Sequence, residues 1–272
     1  FGIRRPKGLT VMTLAEAHAA AEKLEYPVLL RPSYVIGGQN MTIAYTPDDV
    51  ARYMEIILSQ KIDNPVLVDK YMMGKELEVD VISDGSDVLI PGIMEHIERA
   101  GGHSGDSIAV YPPFNVNDKM LEKIVDCSVK LALSLKTRGL VNIQYLISDD
   151  ELYVIEVNPR ASRTVPYISK VTGIPMVDIA TEVMQGMALK DIGCGTGLHP
   201  MPPYYAVKVP VFSFEKLAGI NSILGPEMKS TGEVLGIGKT LNEALYKGLV
   251  SAGFNLESKT GVYISVDSKD KY

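Results

Sequence analysis

The chain has 272 residues, 46% hydrophobic and 22% charged, with a formal net charge of -6. Without a compensating basic face, that charge argues against binding nucleic acid through its phosphates. No apolar run approaches the roughly 20 residues needed to span a bilayer, so no membrane partner is expected. Two cysteines far apart, Cys127 and Cys194, lack a neighbour at metal-ligand spacing. They fit structural thiols in a reducing, cytoplasmic compartment. The length allows one large domain or two modest ones. A start on Phe1, with no charged-then-apolar leader, reads as a piece of a longer polypeptide.

Thr13 and Glu16 form a capping box ahead of LAEAHAAAEKL, which predicts a helix over 13–24. PVLLR (27–31) is a short buried strand that ends on Arg31. That guanidinium faces either a pocket or a structural carboxylate, and the local pattern by itself favours the ion pair. SYVIGGQN (33–40) follows, where paired glycines suit a turn or a mobile loop over phosphates. Thr46, with Pro47 behind it, caps a helix to about position 60, and PVLVDKY (65–71) is a strand. A link of Met72, Met73, Gly74 and Lys75 leads to a strand over 76–81. Its acids Glu76, Glu78 and Asp80 alternate and so share a face, which ordinarily is a solvated one. VLIPGIMEHI (88–97) pairs with it.

RAGGHSGDS (99–107) packs three glycines, two serines, a histidine and an aspartate into nine residues. Such a loop offers many backbone donors to an anion, and His103 is its one titratable base near neutrality. It lacks GxGxxG spacing. Leu121, Ile124, Val125, Val129, Leu131 and Leu135 recur at helical spacing over 117–136.

The most informative stretch follows, GLVNIQYLISDDELYVIEVNPRASR (139–163). Two alternating apolar runs flank a turn at Ser148, Asp149 and Asp150, which predicts a β-hairpin. Asn142, Gln144 and Leu146 share one face of the first arm. Leu152, Val154, Glu156 and Asn158 share one face of the second. A three-residue loop, Asp149, Asp150 and Glu151, would set Ser148 opposite Leu152, Gln144 opposite Glu156 and Asn142 opposite Asn158. Amides and a carboxylate then meet on one face, with Arg160 and Arg163 just beyond. Oxygen ligands beside fixed cations suit a metal-bound polyphosphate. Two amides with one acid keep net attraction for phosphate, which an all-carboxylate set would repel.

A helix is expected over 175–187, a proline-broken connection over 198–203 and a strand over 204–212. The segment 225–240 carries glycines with Glu227, Lys229 and Glu233, and Thr240 with Glu243 caps a helix to about 252. GVYISV (261–266) is a last strand. Strands in antiparallel hairpins, outnumbering helices through the middle, indicate an α+β fold. No GxSxG, HExxH or Walker motif offers a competing chemistry.

The combination RPSYVIGG (31–38), GIMEHIERAGGHSGDS (92–107), NIQY (142–145), IEVNPRASRTVPYISKVTG (155–173), PPYYAVK (202–208) and GPEMKSTGEVLG (225–236) resembles the large subunit of carbamoyl phosphate synthetase. It resembles the second, C-terminal half, which phosphorylates carbamate in arginine and pyrimidine biosynthesis. The resemblance implies an ATP-grasp fold over 1–256, with ATP held between two subdomains. A linker and the first strand of a regulatory domain would occupy 257–272. It implies that Arg31 contacts phosphates, that the Lys70 to Met72 link holds the adenine and that Glu76 holds the ribose. Gly101, Gly102, His103 and Ser104 would line the nucleotide. Gln144, Glu156 and Asn158 would bind two divalent ions, Mg²⁺ or Mn²⁺. Arg160 and Arg163 would meet carbamate or the transferring phosphate. Implied partners are ATP, carbamate, the remainder of the large subunit and a small glutaminase subunit. Two alternatives stay open: another ATP-grasp ligase, of the carboxylate–amine or biotin carboxylase kind, and a non-catalytic nucleotide-binding module.

Overall fold

A computed structural model describes residues 2–33, 40–59, 64–214, 222, 224–254, 263 and 265. Positions 34–39 of the predicted glycine loop (33–40) and nearly all of the expected linker and strand over 257–272 lie outside those residues.

The capping box forms as predicted. Thr13 Oγ1 accepts from the Glu16 N–H at 3.2 Å, and Glu16 Oε2 accepts from the Thr13 N–H at 3.1 Å. It starts α1 (Leu14–Leu24), whose buried face is Ala17, Ala20, Ala21 and Leu24. Thr46 and Asp49 make a similar reciprocal pair at the start of α2 (Pro47–Ser59), which buries Val50, Tyr53, Met54 and Ile57. Both helices contribute to one apolar core with the strands of a four-stranded antiparallel sheet. That sheet runs β1 (Gly8–Val11), β4 (Val66–Lys70), β2 (Val28–Pro32), β3 (Thr42–Ala44).

The second sheet is larger. Its path runs β12 (Gly232–Gly238), β11 (Tyr205–Val211), β7 (Ala109–Tyr111), β6 (Val88–Arg99), β5 (Lys75–Ser83), β8 (Gly139–Ser148), β9 (Glu151–Asn158). The short β10 (Gly197–Leu198) pairs with β6 in parallel. β12 falls in the segment 225–240, to which the sequence pattern assigns no element. On one side, Leu77, Val79, Val81, Ile143 and Tyr145 pack with Met120, Ile124 and Cys127 of α3 (Asp118–Ser134). A separate core joins Ile82, Leu89 and Met94 to α4 (Val165–Thr172), α5 (Met176–Met184) and α6 (Leu189–Ile192). The single helix expected over 175–187 is therefore shorter, and α6 follows it. Against β11 and β12 lies α7 (Leu241–Ser251), capped by Thr240 as expected. Gly236 permits that contact, since a Cβ there would lie 2.0 Å from the Ala244 carbonyl oxygen. Among the described residues no helix is long and apolar enough to cross a membrane.

Candidate active site

A cleft of about 570 Å³ has walls from both sheets. From the small sheet come Leu29, Arg31, Ile43, Asp69 and Lys70; from the large one come Glu76, Glu78, Asn142, Gln144 and Glu156. Twelve of the thirteen residues singled out from sequence line it: Arg31, Lys70, Met72, Glu76, Gly101, Gly102, His103, Ser104, Gln144, Glu156, Arg160 and Arg163. The thirteenth, Asn158, is not among the lining residues. It ends β9 opposite Asn142, and its Nδ2 is buried with no hydrogen-bond partner.

Gln144 and Glu156 are register partners, as expected, but the hairpin reaches that register by another route. The turn has two residues, Asp149 and Asp150, both with positive φ, and Ser148 stands opposite Glu151. A two-residue turn would pair Gln144 with Ile155. A bulge at Ile155 restores the pairing, because the ladder steps from Tyr145↔Val154 to Gln144↔Glu156. The expected three-residue loop is thus wrong. So is the expected common face of Leu152, Val154, Glu156 and Asn158. Leu152 and Val154 pair with Ile147 and Tyr145, which pack in the α3 core, whereas Glu156 pairs with Gln144 on the other face of β8. The Val154 N–H donates to the Arg4 carbonyl at 2.9 Å, out of the hairpin ladder, which accommodates the extra residue.

Arg31 does both of the things open to it. Its Nε donates to Asp69 Oδ2 at 2.8 Å, a structural ion pair, and it also lines the cleft. The RAGGHSGDS loop closes the cleft at one end. Gly101 has φ +130°, and a Cβ there would meet Tyr71 Oη at 2.2 Å, so only glycine fits. The Gly105 N–H donates to His103 Nδ1 at 3.0 Å. Burial holds the His103 imidazolium below its usual range. The neutral ring therefore carries its proton on Nε2. Asp106 anchors the loop from behind, accepting from the Lys229 and Ser230 N–H groups at 2.8 Å each.

The acid row on β5 overturns its expectation. Instead of facing solvent, Glu78 is 4% and Asp80 1% exposed. Asn142 Nδ2 donates to Glu78 Oε1 at 2.7 Å and to Asp80 Oδ1 at 2.9 Å. Ser162 and Thr164 donate to Asp80 Oδ2 at 2.8 and 2.5 Å. His96 lies between carboxylates, with Nδ1 3.4 Å from Glu76 and Nε2 3.6 Å from Glu78. The second separation is an ion pair rather than a hydrogen bond, and Nε2 is otherwise unpartnered. Burial alone would lower the His96 pKa, but Glu76 and Glu78 raise it to about 9. Burial, and then the charge of Glu78, push Asp80 up to about 6 against its three hydrogen bonds.

Lys208, missed from sequence, also lines the cleft. It is 1% exposed, with Nζ 3.4 Å from the carbonyls of Ser104 and Gly105. Burial lowers its pKa, against the opposing pull of Glu78, Glu233 and Glu98. A lone lysine inside the apolar run YAVKVPV was the available signal. His96 and Thr164 carried none as single residues, and Asn142 was legible only as an amide on the hairpin face, because their partners lie on other strands or loops.

The donor set suits a hard cation. Gln144 Nε2 donates to Ser104 Oγ at 3.2 Å, which leaves Oε1 free to accept. The Glu156 carboxylate has no hydrogen bond or ion pair among the described residues and lies at the cleft wall. A carboxylate and an amide oxygen held as register partners match the sparse oxygen ligation of Mg²⁺. A second cleft of about 640 Å³ behind Lys70, lined by Arg4, Arg5, Lys7 and Lys23, holds no such pair.

A family model described as the carbamoyl-phosphate synthase L chain, ATP binding domain, matches residues 2–192. The carbamoyl phosphate synthase large chain of Lachnoclostridium phytofermentans is 58% identical over 269 residues. That alignment covers 99% of this chain but 25% of the relative, so the chain spans about a quarter of the relative's length. Among solved structures, the N5-carboxyaminoimidazole synthase of Aspergillus clavatus, in complex with ADP and 5-aminoimidazole ribonucleotide, aligns with a TM-score of 0.72. It is 15% identical, with 93% of this chain and 70% of that one covered. The biotin carboxylase of Campylobacter jejuni gives a TM-score of 0.69 at 18% identity, covering 90% of this chain and 61% of that one. At such identities the likeness is one of fold, the α+β ATP-grasp architecture expected from sequence.

Proposed function

The chain belongs to the family of the carbamoyl-phosphate synthase L chain ATP-binding domain, and we propose that, within a longer large chain, it phosphorylates carbamate with ATP. A carbamate oxygen attacks the γ-phosphorus. The new O–P bond forms as the bond to the bridging oxygen breaks, giving carbamoyl phosphate and ADP. Charge balances without a proton transfer. The observation that carries this reading is the convergence, on one cleft, of residues as far apart in sequence as Arg31, His103, Gln144, Glu156 and Arg163.

Phosphoryl transfer needs positioning and charge stabilisation more than a covalent nucleophile. The cleft's residues divide those tasks. The Lys70 to Met72 link and Glu76 hold adenine and ribose. Arg31 and the loop of Gly101, Gly102, His103 and Ser104 hold the phosphates, with the His103 Nε2–H available to donate. Gln144 and Glu156, with Asn158 behind them, would hold two divalent ions, which neutralise charge on the phosphates when bound. Arg160 and Arg163 orient carbamate and stabilise the phosphoryl group in transfer. The remaining large-chain segments and a glutaminase subunit would deliver the substrate.

Calorimetry with the 272-residue chain tests the nucleotide part. Mg²⁺-dependent ATP binding that weakens in a Glu156→Ala, Asn158→Ala variant is expected, and binding indifferent to both changes would overturn the assignment. Formation of ATP from ADP and carbamoyl phosphate by the full large chain tests the acceptor. Its absence would favour another acceptor or a non-catalytic module.

A further inference from the structure

The two arginines on the acceptor side of the cleft lie in the segment after β9, where no strand pairing fixes the backbone. Arg163 Nη1 meets Met228 Sδ, a weak acceptor, at 2.6 Å, and Arg160 Nη1 donates to the Ala161 carbonyl at 3.1 Å, so neither guanidinium is tied to the sheet. A guanidinium without a fixed backbone would lose orientation and the catalytic advantage that goes with it. The residues on either side of Arg163 are Ser162 and Thr164, and both turn inward onto one carboxylate oxygen. Asp80 Oδ2 accepts from Ser162 Oγ at 2.8 Å and from Thr164 Oγ1 at 2.5 Å. The two hydroxyls also lie 2.8 Å apart, and the Thr164 N–H donates to Ser162 Oγ at 3.1 Å. The other Asp80 oxygen accepts from Asn142 Nδ2 at 2.9 Å. Asp80 belongs to β5, which is paired on both sides by β6 and β8, so its position is set by the sheet.

We propose that Asp80 is a positioning residue for phosphoryl transfer, clamping Ser162 and Thr164 so that Arg163 between them is aimed into the cleft. Asp80 is not among the residues that line the cleft. The inference rests on the proposed role of Arg163, and the test separates the two.

The test uses the full large chain and follows ATP formation from ADP and carbamoyl phosphate. Asp80→Ala is expected to lower kcat by about 10–100-fold with KM for ADP within about threefold, the size of a misplaced catalytic group. Asp80→Asn is expected to recover most of that loss. Its amide oxygen can face Asn142, and its NH₂ can donate to the two hydroxyls. Arg163→Ala serves as the reference. If Arg163→Ala is inactive while Asp80→Ala turns over normally, the clamp is wrong and the role of Arg163 stands. If Arg163→Ala is itself fully active, both fall. A loss confined to KM also overturns the clamp. Should Asp80→Ala not fold, the Ser162→Ala, Thr164→Val pair breaks the same contacts from the other side. A comparable kcat loss there supports the clamp, and normal kcat overturns it.

Discussion

Gln144 and Glu156 face each other across β8 and β9 because a two-residue turn and a one-residue bulge compensate each other. Neither feature alone gives this pairing. Under the proposed function this pair carries the metal-dependent part of ATP affinity. Glu156→Gln is expected to keep the hairpin but weaken Mg²⁺-dependent ATP binding by about 10–100-fold, the usual range for damage to a metal site. Binding measured without Mg²⁺ should change little. Titration calorimetry in both conditions checks the contrast.

The turn itself is not optimal. Asp149 and Asp150 have φ of 51° and 59°. Two-residue hairpin turns with both residues in this region prefer glycine at the second position. Asp150→Gly should raise stability by about 0.5–1 kcal/mol through relief of the left-handed conformation. The urea midpoint should rise with an unchanged slope. ATP affinity should stay the same, since the turn lies at the far end of the hairpin from Glu156.

On the opposite edge of the sheet, Gly236→Ala should destabilise. The added methyl meets backbone, the Ala244 oxygen at 2.0 Å and the Gly248 nitrogen at 2.5 Å, so α7 must shift away from β12. A cost of about 2–3 kcal/mol is expected for such overpacking. Thermal unfolding reads it directly.

His96 makes stability depend on pH. Its folded pKa of about 9 lies above the ordinary value of 6.5, because Glu76 and Glu78 favour the imidazolium despite burial. The folded state therefore binds the proton more tightly than the unfolded state. The contribution is fully present below pH 6.5 and is lost as pH rises through 9. Unfolding free energy should decline across that interval. In His96→Gln, which cannot titrate, that component of the decline should disappear. Urea melts at the two ends of the interval and midway between them decide it.

Much of this molecule was legible one segment at a time. Thr13 with Glu16 and Thr240 with Glu243 marked helix starts through hydrogen bonds that close within four residues. Alternation across 139–158 predicted the hairpin, and its amide and acid Gln144 and Glu156, with Arg160 and Arg163 just beyond, are residues that the fold brings to one cleft. These signals are local, so a single sequence carries them.

The tertiary structure alone decided which polar residues are buried and what they face. Glu76, Glu78 and Asp80 show the same period-two pattern whether they meet water or protein. Only the packing of His96, Asn142, Ser162 and Thr164 against them makes two of the three inaccessible. Lys208 acquired its role through carbonyls about a hundred residues earlier in the chain. The bulge at Ile155 has no local signature, because apolar alternation does not count residues. Beside it the Val154 N–H donates to the carbonyl of Arg4, a partner from a distant part of the chain.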